Sequence, residues 1–186
     1  PGRKLAITGK GRCNITNTAE VSAFIDQVKP NGRFLRSSFS QFYTHDVINL
    51  MNRIGVKTKL ERGGRIFPEN DSAPHVVKMM VQWCENAGVN ILTNKKTISL
   101  IIKDKEVVGV KCENESFYTS KVILATGGMS YPRTGSTGDG YKIAGDAGHK
   151  ITDIKPSLVP LVSDRKMTVL VNLELKNIKG MVWVDE

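Results

Sequence analysis

The chain has 186 residues, 40% of them hydrophobic, and its 27 Lys and Arg against 18 Asp and Glu give a formal charge of +9. That is enough chain for one domain, or one domain and part of another, with an apolar core. No apolar run reaches the ~18 residues of a membrane span, no secretory leader pattern opens the chain, and the cysteines at 13, 84 and 112 form neither a disulfide framework nor a closely spaced redox pair. A protein of the reducing cytoplasm, with no membrane partner, is expected. The chain begins with Pro1 and stops just after the strand-like Gly180-Met-Val-Trp-Val184, so it reads as a piece of a longer protein.

In chain order, residues 3–8 read as a short strand and residues 9–17, rich in Gly and Asn, as an ordered loop. Apolar residues at three- and four-residue spacings predict helix from residue 33 to 54, broken at Thr44 as an N-cap with Asp46 in the following turn and ended by Gly55. Residues 56–60 and 64–67 suggest a hairpin. Ser72 caps a helix with Pro74 in its first turn, an apolar stripe of Val76, Val77, Met80, Val81 and Cys84, and Gly88 past its end. Strands are expected at 89–93, 97–103, 107–113 and 117–125, with Asp104-Lys-Glu106 as a turn. Residues 139–148 read as a helix capped at Thr137 or Asp139 and ended by Gly148. Strand-like pieces without helices follow, which places a boundary near 155: residues 1–155 form one domain, and 156–186 begin an antiparallel β domain. Trp83 and Trp183 read as core.

The segment with the most chemical content is Val122-Ile-Leu-Ala-Thr-Gly-Gly128. An apolar, β-branched run ending in small residues describes a buried strand whose last backbone atoms are open to a ligand, at the strand end where α/β sheets bind nucleotides. Ser136-Thr-Gly-Asp-Gly140 places the free N–H groups of a helix start nearby, with Asp139 as cap or as acceptor for a hydroxyl. The early loop adds Gly9, Gly11, Asn14 and Asn17, hydroxyls at Thr8 and Thr16, and Arg12, whose guanidinium suits a pyrophosphate; the plainer alternative is that the Asn side chains close turns and Arg12 is solvated. Cys13 has no second Cys at dithiol spacing, so packing is its ordinary role, and His45, His75 and His149 lack partners at metal-ligand spacing. No metal is expected. The basic residues are dispersed, their longest runs being pairs such as Lys95-Lys96 without interleaved aromatics, so no nucleic-acid partner is expected.

Taken with Gly64-Arg-Ile-Phe-Pro68, Ser130-Tyr-Pro132, Gly148-His149 and Leu158-Val-Pro-Leu161, these motifs resemble the BaiN-like flavoproteins, also called aminoacetone oxidase family FAD-binding enzymes or NAD(P)/FAD-dependent oxidoreductases. The resemblance covers almost all of residues 1–161. It implies an α/β fold, part of a Rossmann-like FAD/NAD(P)-binding domain with a helical and small β excursion, followed by the start of a mainly antiparallel β insert. It also implies that Gly9, Gly11, Arg12, Cys13, Asn14, Thr16 and Asn17 line FAD, that Ala125, Thr126, Gly127 and Gly128 let backbone approach it, that Thr97 touches the adenine through its main chain, and that Thr137, Gly138 and Asp139 complete the site. The family's opening Gly-x-Gly-x-x-Gly unit and its closing Gly-rich flavin segment are not in this sequence, so the piece is expected to be inactive and to bind FAD weakly or not at all. NAD(P)H is the expected reductant. No residue stands out as catalytic acid or base, and substrate and oligomeric state are not specified. A nucleic-acid-binding module using the basic surface and a nucleotide-binding domain without redox activity are the alternatives.

Overall fold

Local capping and turn chemistry set most of the elements in residues 1–157, the part of the chain that the computed structural model describes. The β segment expected beyond residue 156, Trp183 included, lies almost wholly outside the described residues. Pro1–Ile151 forms one unit by itself. Its elements run α1 (Arg3–Ile7), a 3₁₀ turn (Thr8–Gly11), β1 (Thr16–Asn17), α2 (Val21–Gln27), a second 3₁₀ turn (Gly32–Leu35), α3 (Arg36–Gln41), α4 (Thr44–Arg53), β2 (Thr58–Glu61), β3 (Arg65–Pro68), α5 (Ala73–Asn86), β4 (Thr97–Lys103), β5 (Glu106–Cys112), β6 (Ser116–Tyr118), a third 3₁₀ turn (Pro132–Thr134) and α6 (Asp139–Asp146).

The first layer is a three-stranded antiparallel sheet in the order β1-β3-β2. The β2–β3 hairpin is the one expected. β1 is an addition, since the early loop ends by pairing Thr16 with Ile66 and Asn17 with Arg65. α4 starts one residue earlier than expected: Tyr43 is the cap, its N–H donates to Asp46 Oδ2 at 2.7 Å, and the Thr44 hydroxyl donates instead to the Asn17 carbonyl at 2.8 Å. α5 begins as expected, with Ser72 Oγ accepting from the His75 N–H at 3.2 Å. The core gathers Cys13, Met51, Ile54, Val56, Ala73 and Val76, with Leu5, Ile15, Leu50, Met79 and Met80 packed against it. Trp83 is not part of it. It stays 43% exposed on the outer side of α5, where it borders a shallow depression with Ile54, Gly55 and Met79.

Residues 3–7 are helix rather than strand. Among the described residues no strand lies beside them, and a helical turn satisfies their backbone internally while Leu5 joins the core. α1 docks on α5. Its last turn is closed by the Thr8 hydroxyl donating to the Leu5 carbonyl at 2.7 Å.

The second sheet is antiparallel, β4-β5-β6, with α6 against β4. Asp104 and Lys105 adopt φ of 52° and 68° in the expected turn. Of the expected strands, 89–93 is irregular and 117–125 forms only at its start, in β6 and the Thr119 N–H that donates to the Val108 carbonyl at 3.0 Å; residues 120–128 run without a ladder partner among the described residues. Ile123 is 92% exposed, so the buried strand expected at 122–128 is an open segment here. Side-chain pattern alone does not make a strand; a neighbour must supply the hydrogen bonds.

Val76, 1% exposed, and Trp83, 43% exposed, share α5 and give a direct check of where the core lies. Val76→Ala is expected to cost about 2 kcal/mol in urea unfolding, and Trp83→Ala about 1 kcal/mol or less despite the larger deletion.

Candidate functional site

The early bend is built by an unusual backbone path. Gly9, Lys10, Gly11 and Cys13 all have positive φ, from 57° to 83°, and the Cys13 N–H returns to the Thr8 carbonyl at 2.9 Å. Glycine adopts this conformation without penalty; the other two residues must be held in it. Burial holds Cys13, whose thiol is 1% exposed and packed in the core. That burial pushes the thiol pKa up, against a smaller opposing effect of the Thr8 hydroxyl, so Cys13 is a packing residue and not an activated nucleophile.

Arg12 completes the support. Its guanidinium stacks on Phe67, 4.1 Å from the ring centroid, and makes a two-pronged contact with Glu61 at 2.9 and 3.2 Å and a third with Asp71 at 3.2 Å. Lys59 Nζ lies 2.6 Å from Asp71 Oδ2. The Arg12 hydrogen bond holds the Glu61 carboxyl below its ordinary range, and the Lys59 hydrogen bond does the same for Asp71. These contacts engage Nη1 and Nη2, and the Arg12 side chain stays 37% exposed. Asn17 is similarly engaged, its Oδ1 accepting from the Ala19 N–H and its Nδ2 donating to the Gly63 carbonyl, both at 2.8 Å; it closes a turn, the plainer of the two roles open to it. Thr16 Oγ1 lies 3.4 Å from Thr44 Oγ1. Asn14 is exposed at the open side of the bend, and Gly9 and Gly11 are half-buried.

The later residues gather around the start of α6. Gly138 caps the helix with a φ of 83°, and Gly140 has no room for a side chain because a Cβ there would run into Thr126 Oγ1. Thr126 and Gly127 are thereby laid against the helix start, with Ala125 to Gly127 exposed and Gly128 beside the Tyr141 hydroxyl. β4 runs past the same helix, which brings Thr97 to this region. Lys96 Nζ stands 3.9 Å from Asp139 Oδ2. Thr97, Ala125, Thr126, Gly127, Gly128, Thr137, Gly138 and Asp139 therefore form one neighbourhood. Among the described residues, no group of three His, Cys, Asp or Glu is arranged to hold a metal ion.

A contact that no local pattern announces links the two bends. Lys4 Nζ, on α1 just before the early bend, donates to the Ser130 carbonyl at 2.6 Å and to its hydroxyl at 2.8 Å, and lies 4.8 Å from the Tyr131 ring centroid. The partners are 126 residues apart in sequence.

Helices alternating with small sheets and a glycine-rich bend at a helix start are features of nucleotide-binding α/β domains. The family described as HI0933-like protein Rossmann domain matches residues 1–180, and the chain belongs to that family, a group of flavin-dependent oxidoreductases. It is 34% identical over 161 residues to the ribosomal RNA dihydrouridine synthase of Escherichia coli (strain K12), covering 86% of this chain and 39% of that protein. It is 32% identical over 160 residues to the 3-dehydro-bile acid delta(4,6)-reductase of Clostridium scindens, covering 86% of this chain and 38% of that protein. A ribosomal RNA dihydrouridine synthase of Haemophilus influenzae is 30% identical over 180 residues, 94% of this chain and 44% of that protein. The chain thus spans roughly two fifths of the length of these curated relatives.

The depressed Glu61 and Asp71 carboxyls make the early bend acid-sensitive. Their contribution is present above the ordinary carboxylate range and is lost as pH falls through the lowered folded-state values, so stability is expected to drop as pH falls below that ordinary range. Glu61→Gln should flatten that part of a stability-against-pH curve from thermal melts.

Proposed function

We propose that the intact protein is an FAD-dependent oxidoreductase that reduces a carbon–carbon double bond conjugated to a carbonyl, with NAD(P)H as electron source. The observation that carries this reading is similarity of about one third identity to two kinds of relative whose names point to one reaction type. One is a synthase of dihydrouridine in ribosomal RNA, the other a delta(4,6)-reductase of a 3-dehydro-bile acid. Each name describes saturation of an alkene polarised by a carbonyl, which is chemistry a reduced flavin supplies by delivering hydride. The protein's share is position and electrostatics.

The geometry supports FAD in a defined way. Ala125, Thr126, Gly127 and Gly128 offer backbone without bulky side chains, and the first N–H groups of α6 lie beside them, so this bend would take the polar and anionic part of the nucleotide. Thr97 would meet the adenine end, and Asp139, already facing Lys96, would accept from a hydroxyl. Gly9, Gly11 and Asn14 would line the flavin side. Arg12, Cys13, Thr16 and Asn17 would act from behind, keeping that bend in its left-handed path. For the 186-residue chain alone we infer weak FAD binding, because residues 122–128 have no ladder partner among the described residues to fix them. A cytoplasmic setting accords with the three free cysteines.

Anaerobic titration of the full-length protein tests this. Bound FAD should be bleached by NADPH or NADH and recoloured by a conjugated enone or a uridine-containing RNA. A protein that binds adenine nucleotide but no flavin would contradict it. Gly140→Ala should weaken FAD by about tenfold by forcing Thr126 away from α6, and adding Thr126→Ala should recover most of the loss.

A further inference from the structure

We propose that the surface turn at residues 29–36 is a docking site for single-stranded RNA, with Phe34 as a stacking platform and Lys29, Arg33 and Arg36 as phosphate contacts. This rests on the reductase reading above and narrows its substrate to a nucleobase carried in an RNA strand.

Phe34 is 83% exposed, the highest value for any aromatic residue described, although a phenyl ring gains most from burial. It sits between cations. Lys29, Arg33 and Arg36 are all exposed, and none makes an ion pair among the described residues. Between Asp26 and Asp46 the chain contains these three cations and not one Asp or Glu. Asp26 lies near the end of α2, ahead of this stretch, and Glu20 borders the same shallow depression as Arg36. Arg33 and Phe34 lie within the 3₁₀ turn Gly32–Leu35, and Arg36 follows it directly as the first residue of α3.

The turn is also held in place. Gly32 is buried against the Ile25 carbonyl, where any Cβ would clash with backbone, and the Phe34 N–H bonds to the Asn31 carbonyl at 3.0 Å. Behind it Phe24 packs edge-to-face on Phe39 and Tyr43, which tilt against each other, with centroids 5.0 to 6.2 Å apart, and the Tyr43 hydroxyl donates to the Ala19 carbonyl at 2.7 Å. A rigid tip bearing one bare ring among cations matches single-stranded nucleic acid, whose bases stack on aromatic faces while its phosphates meet Lys and Arg. A membrane surface would call for a broad apolar face, and here the neighbours are Asn31, Ser37, Ser38 and Ser40. An acidic peptide would have no use for the ring.

The test is fluorescence anisotropy of a short labelled oligouridylate with the full-length protein at several salt concentrations. Phe34→Ala should weaken binding about tenfold. Arg33→Gln with Arg36→Gln should lower the slope of log affinity against log salt by about 1.4, two phosphates at about 0.7 each. The charge-matched pair Lys78→Gln with Lys103→Gln should do neither. Unchanged binding by Phe34→Ala, an equal loss in the control pair, no oligouridylate binding by the wild type, or preferential capture by anionic lipid vesicles would each overturn the proposal. Reduction of a small soluble enone by the flavin, measured in the same variants, should stay at the wild-type level. If the wild type lacks that activity, the reductase reading fails, while the anisotropy result still decides whether the turn binds RNA.

Discussion

The candidate site depends on one long-range contact: the Lys4 ammonium held by the carbonyl and hydroxyl of Ser130. Neither bend is positioned by its own sequence relative to the other. The early bend hangs from α1 and the β1-β3-β2 sheet; the later one leans on α6 and β4. Lys4 and Ser130 join the segment leading into the first to the segment leaving the second. A partly exposed contact of this kind contributes modestly to stability, so its significance is geometric.

Each bend carries its own internal support, and the two supports differ in kind. The early one is electrostatic: Arg12 on Phe67, gripped by Glu61 and steadied by Asp71, whose second partner is Lys59. That arrangement spends the guanidinium on holding the backbone and leaves the open side of the bend to Asn14. The later one is steric. Gly140 admits Thr126 against the helix start, and Gly138 makes way for Met129, so the segment is placed by absence of side chains rather than by charge. An anionic nucleotide is better served by the second, where helix N–H groups are near and the Asp139 carboxylate faces Lys96.

What the amino-acid sequence disclosed follows the range of the forces involved. The Ser72 cap, the Asp46 turn, the β2–β3 hairpin and the Asp104-Lys105 turn are decided within a few residues, and they stand where the local chemistry put them. Helix for residues 3–7, the half-exposed Trp83 and the unpaired 122–128 segment depend on which neighbours are available, which no local pattern records. The same holds inside the site. The clustering of residues 125–128 with 137–139 was readable because the two stretches are close in the chain, whereas the partners of Arg12 lie 49 and 59 residues away. Asn17 shows both ranges in one side chain: its Oδ1 closes a local turn by accepting from Ala19, and its Nδ2 donates to the Gly63 carbonyl, 46 residues away.

Hydrogen–deuterium exchange of the full-length protein with and without FAD tests the central claim most directly, because it reads both bends at once. The account predicts that FAD slows exchange in residues 9–14 and in residues 125–139 together. Protection at one bend with the other unchanged would contradict it.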